Sequence, residues 1–266
     1  MLGKGINGRS AKWILRASGV LLGLAIAAGP VMGSDRIDPE ADKILRSMST
    51  YLGGLSAFSA DADVDIEIID LEGQKLQLSS STTVIAERPD KLHIGRHGAV
   101  ADLELISDGK TLTIHGKNQN AYFQMENPGS IDAVMDAVRS RIGMEAPAAD
   151  FMYSDAYPSL ASGVTRSAYL GTAFVNGEES HYLTFRENQV DWQLWVKAGD
   201  EPLPMKYIIT TKWMTGAPQY SVRFRDWNTK PQIEAGQFSF TLPEGATKVD
   251  AVALDEMGEP VMGGVE

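Results

Sequence analysis

The chain of 266 residues has no cysteine, which excludes thiol nucleophiles, disulfides and thiolate metal sites. It also excludes a bacterial lipoprotein anchor, since no thiol follows the apolar run near the amino terminus. Histidine is scarce, and the four, His93, His97, His115 and His181, fall in separate segments. No HExxH or HxH pair occurs, and Gly95 between His93 and His97 argues against one helical face, so no metal site is expected. The GxSxG elbow of serine hydrolases is missing. Asp108-Gly109-Lys110 and Gly95-Arg96-His97-Gly98 lack the length and context of a phosphate loop. No catalytic residue, no cofactor-binding residue and no cofactor is expected, and the chain does not read as an enzyme. Basic charge is short as well: after the first 33 residues, 20 basic side chains face 35 acidic ones. A body that acidic offers no stripe to a phosphate backbone, which argues against nucleic acid as a partner.

What is present begins with Lys4, Arg9, Lys12 and Arg16, followed by the uncharged residues 17–33. This is the pattern of an export signal over residues 1–33, with cleavage after Gly33 or after Ala28. Read instead as a retained helix, 17–33 spans about 25 Å, the short end of what crosses a bilayer. The expected location is the periplasm, with an inner-membrane anchor as the alternative.

Asp38-Pro39-Glu40 opens a helix whose Ala41, Ile44, Leu45, Met48 and Leu52 recur every three or four residues, and Gly53-Gly54 ends it. Such a helix is marginal alone and has to dock on something larger. Most of the rest reads as sheet. Phe58, Ala60, Ala62, Val64, Ile66 and Ile68 alternate with Ser59, Asp61, Asp63, Asp65 and Glu67, so the carboxylates share one face and read as the solvated side of a half-buried strand. Short strands follow at 75–86, around Leu92 and Ile94, at 103–106, 112–114 and 121–125, with a loop around Gly95 and Gly98 and a hairpin at Asp108-Gly109. Six strands without an intervening helix argue against an α/β fold. Ser130 caps a helix through Ile131, Val134, Met135, Val138 and Ile142, and 148–160 is a weaker helical stretch broken by Pro158. The sheet resumes at 165–175, turns at Asn176-Gly177 and continues through 180–186. From 189 to 227 three strands are separated only by turns, which requires an antiparallel meander. A last strand is expected at 238–242 and a disordered tail over 255–266. Two sheet blocks, 57–126 and 165–242, thus flank one helical insertion in a single domain over 38–250.

Trp192 and Trp195 lie three apart on one strand and point to opposite faces. Either helices cover the Trp192 side, or that side lines a groove for an apolar ligand. The residues alone leave both open.

The run QVDWQLWVKAGDEPLPMKYIITTK, then GAPQYSVRFRDW and FSFTLPEGATKV, together with APAADFMYSDAYPSLASGV and AYLGTAFVNGEESHYLTF, resembles a family of predicted periplasmic proteins, DUF2092. The likeness includes Asp191, Trp195, Pro202, Pro204 and Trp227 in register. That family is similar to the LolA-like carriers built on the outer-membrane lipoprotein chaperone fold. The resemblance implies an α+β fold: a single strongly curved antiparallel sheet, a half-open β-barrel, wrapped over a few helices that lid an apolar cavity. It implies a periplasmic binding or carrier protein for a lipid, a lipoprotein acyl chain or another hydrophobic ligand, monomeric and in transient contact with membrane or lipoproteins. The chaperone uses a groove arginine, to which the sequence assigns no counterpart. The alternative is a non-enzymatic structural or interaction module of the cell envelope. Candidate cavity-wall residues are Val64, Ile66, Leu78, Leu92, Leu103, Leu183, Trp192 and Leu194, with Met135 and Val138 as lid residues.

Overall fold

A computed structural model describes residues 37–98, 102–142, 147–254 and 260–263, which lie in one unit, Asp35–Glu266. The signal expected at 1–33 lies outside the described residues.

Helix α1 (Pro39–Gly54) starts where the sequence places it. Asp38 Oδ1 accepts from the backbone N–H groups of Glu40 and Ala41, and Pro39 occupies the first turn. The same residue ties the helix to the sheet, since Asp38 Oδ2 accepts from Tyr169 N and Asp38 N donates to Ser167 Oγ. Six strands follow: β1 (Ala57–Ile69), β2 (Lys75–Glu87), β3 (Lys91–Gly98), β4 (Leu103–Asp108), β5 (Thr111–Gly116) and β6 (Ala121–Glu126). Next come α2 (Ile131–Ala137), capped by Ser130 and continued by a wider turn over Val138–Ile142, a tight helical turn Pro147–Met152, and α3 (Tyr157–Ala161). The second sheet block is β7 (Arg166–Val175), β8 (Glu178–Arg186), β9 (Val190–Lys197), β10 (Pro204–Thr211) and β11 (Gln219–Asn228). At the β7–β8 turn Asn176 and Gly177 both have positive φ, 53° and 82°, as the primed hairpin turn requires.

With a short strand β12 (Thr247–Val249) at one edge, the blocks join into one 12-stranded sheet ordered β12–β6–β5–β4–β3–β2–β1–β11–β10–β9–β8–β7. The seam is the pairing of β1 with β11, Val64 opposite Val222. Three readings need correction. The sheet is mixed rather than wholly antiparallel, because β12 (Thr247–Val249) pairs parallel with β6. Residues 95–98 are not a loop, because β3 runs through Gly98 with Arg96 opposite Thr82 and Leu103. Residues 238–242 are not a strand. Phe240 lies over His115 and Tyr122, with centroids 5.6 and 5.4 Å away, and Gln237 O meets His93 Nδ1 at 3.0 Å. The aromatic alternation there is used to cover the outer face of β3–β6, whose strands already have neighbours on both edges. At the carboxyl end, β13 (Val252–Leu254) pairs with β14 (Pro260–Met262), while 255–259 and 264–266 lie outside the described residues.

The cross-strand register fixes two faces. On the face that meets the helices, Ala62, Val64, Val84, Leu92, Leu105, Ile114, Leu183, Trp192, Tyr207 and Val222 join Ile44, Leu45, Met48, Val134 and Phe151 in one core. Phe151 meets Tyr207 and Phe224 edge-on at 5.3 and 5.7 Å, which seats the 147–152 turn over β10 and β11. The opposite face carries Asp61, Asp63 and Asp65, paired with Arg225, Ser81 and Ser79, as the alternation requires.

Candidate functional site

All eight strand positions proposed as a cavity wall fall on the helix-facing side, but they are not equivalent. Val64, Leu92, Leu183, Trp192 and Leu194 are buried in the common core together with the two helix residues, Met135 and Val138. Trp192 is stacked on Phe185 at 3.8 Å, and its Nε1 donates to Glu187 Oε1 at 2.8 Å. Trp195 emerges on the other side, stacked on Tyr182 at 4.5 Å with the Lys206 ammonium 5.0 Å from the indole. Under the helices these side chains are packed against one another.

Towards the β1–β2 turn the same face changes character. Ile66 and Ile68 on β1, Leu76 and Leu78 on β2, Ile209 on β10 and Tyr220 on β11 are only half-buried. Pairing fixes their neighbours: Leu78 faces Ile66, which faces Tyr220, which faces Ile209. The face therefore carries an apolar strip that leads out of the core towards two hairpin tips. Leu103 is buried nearby, opposite Arg96 and Gly116, but does not join the main core.

Arg96 is the residue that sequence reasoning missed. On β1–β6 it is the one charged side chain among the described residues of this face. Its Nε donates to Ser80 Oγ at 3.3 Å, and its guanidinium opposes the upward push that burial gives the Tyr220 phenol. The available signal was the alternation Leu92, Ile94, Arg96, which the glycines at 95 and 98 disguised as a loop.

Among the depressions of the described surface are two flanked by ionisable groups. One of about 590 Å³ is lined by Asp63, Asp65, Ser79, Ser81, His97 and Asp102 together with Val64, Ser80 and Gly98. The other, about 170 Å³, lies between α1 and the β8–β9 side, with His181, Glu40, Lys43 and Lys197 around it. His181 Nδ1 is 3.1 Å from Tyr169 OH, and the carboxylate of that depression, Glu40, is exposed. On the outer face Glu104 is held below its ordinary value although burial opposes this, because Lys117 Nζ is 2.9 Å away and His93 and His115 lie near. Among the described residues no three His, Asp or Glu side chains stand where they could hold a metal ion.

A family model described as "Predicted periplasmic protein (DUF2092)" matches residues 41–252. The chain belongs to this family. Its location is accordingly the periplasm, and no helix among the described residues is long and apolar enough to cross a membrane. No curated protein matches the chain. Solved structures similar to it include an uncharacterized conserved protein from Thermus thermophilus (10% identity, 79% of this chain and 99% of that one, TM-score 0.47). Others are the Mycobacterium tuberculosis lipoprotein LppX (14%, 74% and 100%, TM-score 0.45) and a LolA superfamily protein from Nitrosomonas europaea (8%, 73% and 94%, TM-score 0.34).

Proposed function

We propose that this member of the DUF2092 family is a periplasmic binding or carrier protein for an amphiphile, whose acyl chain lies along the half-buried strip of Ile66, Ile68, Leu76, Leu78, Ile209 and Tyr220. The observation that carries the reading is this strip itself: apolar, continuous with the core, and only half covered, whereas the part of the same face under the helices is packed. In this reading the sheet curls into a half-open barrel. Twelve strands laid flat would be about 50 Å wide. A single core that takes in side chains from β1 to β5 and from β8 to β11 supports a sheet bent around its helices. An acyl chain with about twelve methylenes withdrawn from water gains roughly 10 kcal/mol before ordering costs. A half-open seat recovers part of that, which suits cargo that has to be released.

A second reading, an envelope interaction module with a solid interior, is favoured by the packing under the helices, where Phe58, Phe151 and Trp192 are at most 2% exposed. Uptake of a fluorescent fatty acid by the delipidated protein separates the two. The carrier reading expects stoichiometric binding at micromolar concentration and at least a tenfold loss in Leu78→Asp, with the circular dichroism and melting curve kept. Thr83→Asp, on the outer face of the same strand, is expected to bind as the parent does. No uptake by the parent, or full uptake by Leu78→Asp, sinks it.

A further inference from the structure

Among the described residues seven large apolar side chains are exposed, and three of them, Leu71, Trp213 and Met214, sit on two neighbouring hairpin tips. Ile37, Leu170, Phe174 and Leu242 lie on other elements. Leu71, 102% exposed, is at the β1–β2 turn, while Trp213 and Met214, 69% and 37% exposed, are at the β10–β11 turn. Since β1 pairs with β11, the tips stand side by side. Gln219 N donates to Glu67 Oε2 at 2.9 Å, and a Cβ added to Gly216 would lie 3.0 Å from Ile69 Cδ1.

Both tips are built to hold these side chains outward. Asp70 Oδ1 accepts from Glu72 N and Gln74 N, and Gly73 N donates to Asp70 O, which locks the turn with Leu71 at its apex. In the other turn Thr211 N donates to Pro218 O and Ala217 N to Met214 O, with Gly216 and Ala217 at positive φ. A fixed, fully exposed apolar apex has no role in the fold, because it covers nothing.

We propose that the two tips form a membrane-docking surface, with Leu71, Trp213 and Met214 entering the lipid interface of a bilayer facing the periplasm. Two observations select lipid over a protein partner. The residues project from two turn apices and present neither a groove nor a free strand edge, and they supply far less than the roughly 800 Å² per side of a stable protein interface. An indole is the side chain best suited to the headgroup level, with an apolar body and one N–H. The apolar strip begins directly behind the same tips, at Ile68 and Leu76, so a seated tip puts the strip against the bilayer. Delivery of cargo by this route rests on the carrier reading, whereas the insertion itself does not.

The test uses the exported full-length protein and phosphatidylethanolamine–phosphatidylglycerol vesicles with brominated acyl chains. The parent is expected to sediment with the vesicles and to lose part of its tryptophan emission. Trp213→Phe is expected to sediment as well while losing most of that quenching. The triple variant Leu71→Asp, Trp213→Asp, Met214→Asp is expected to bind at least tenfold less, with unchanged circular dichroism and unchanged fatty-acid uptake in solution. The inference is overturned if the parent ignores vesicles, if the triple variant still binds them, or if quenching survives Trp213→Phe. A parent that takes up fatty acid but not vesicles removes only this inference. One that binds vesicles but no fatty acid removes only the carrier reading.

Discussion

Replacing Trp192 tests whether the centre of the helix-facing side is core or ligand wall. The indole is 2% exposed, stacked on Phe185, and 5.7 Å from Tyr207 edge-on. Burying a tryptophan withdraws about 150–250 Å² from water, which at about 25 cal/mol per Å² is roughly 4–6 kcal/mol. A domain is stable by only about 5–15 kcal/mol, so Trp192→Asp, which also buries a carboxylate beside Glu187, is expected to unfold the protein. Trp192→Phe keeps a ring on Phe185 but loses the N–H donor to Glu187, and costs about 3–5 kcal/mol in area and hydrogen bonding. The cost depends on pH. Burial pushes the Glu187 carboxyl above its ordinary 4.5, while the Trp192 N–H and Lys212 pull it back, so loss of the N–H raises it further. A carboxyl with a raised folded pKa favours the fold fully below its unfolded value, and that contribution is lost as pH rises through the folded pKa. The variant therefore loses more between 4.5 and neutrality than the parent does. Urea titrations followed by circular dichroism at about pH 4 and about pH 7.5 are expected to show a larger deficit at the higher pH. A folded Trp192→Asp of parental stability, or a Trp192→Phe deficit that shrinks with rising pH, refutes the reasoning.

Two further substitutions probe how α1 is fixed. Asp38→Ala removes a carboxylate that, despite burial, is held below its ordinary 3.8 by the N–H groups of Tyr169, Ala41 and Glu40; about 1–2 kcal/mol is expected at neutral pH. Because the folded pKa is depressed, that advantage of the parent is present above 3.8 and vanishes as pH falls through the lower folded value, which thermal melts across the acid range would show. Gly53→Ala puts a Cβ 2.0 Å from the Ser154 carbonyl oxygen, so helix and loop have to separate at about 1–3 kcal/mol, whereas Gly54→Ala meets nothing within 4 Å and is expected to be neutral or slightly stabilising. Melting temperatures of the pair measure what the close approach at Gly53 costs a side chain.

The sheet was legible because strands with one wet face alternate strictly. In β1 the even positions go to the core and the odd carboxylates to solvent, and a slip by one residue would exchange them, so the pattern itself fixes the face. The capped helix starts at Asp38 and Ser130 were legible for the same local reason. The seam between β1 and β11 was not, since its partners lie about 160 residues apart and nothing local specifies them. Phe238 and Phe240 show the converse failure. Alternating aromatics read as a strand, yet here they cover a sheet whose edges are elsewhere, and hydrogen-bonding partners, not side-chain pattern, decide which of the two a segment becomes.

The site was legible only in part, and Leu78 and Leu92 show why. Both are leucines on the helix-facing side of adjacent strands, and their alternation reads alike, but Leu92 is fully buried while Leu78 is half-exposed. Alternation assigns a residue to a face; how far along that face the helices reach depends on where α1 and the 147–152 turn dock. Those positions follow from Asp38 on Tyr169 and from Phe151 on Tyr207 and Phe224, contacts between segments far apart in the chain. A ligand can use only the part of the face that the helices leave uncovered. Asp substitutions at Leu92 and at Leu78 therefore separate fold from the proposed function: the first is expected to unfold the protein, and the second, on the carrier reading, to leave a folded protein that takes up no fatty acid.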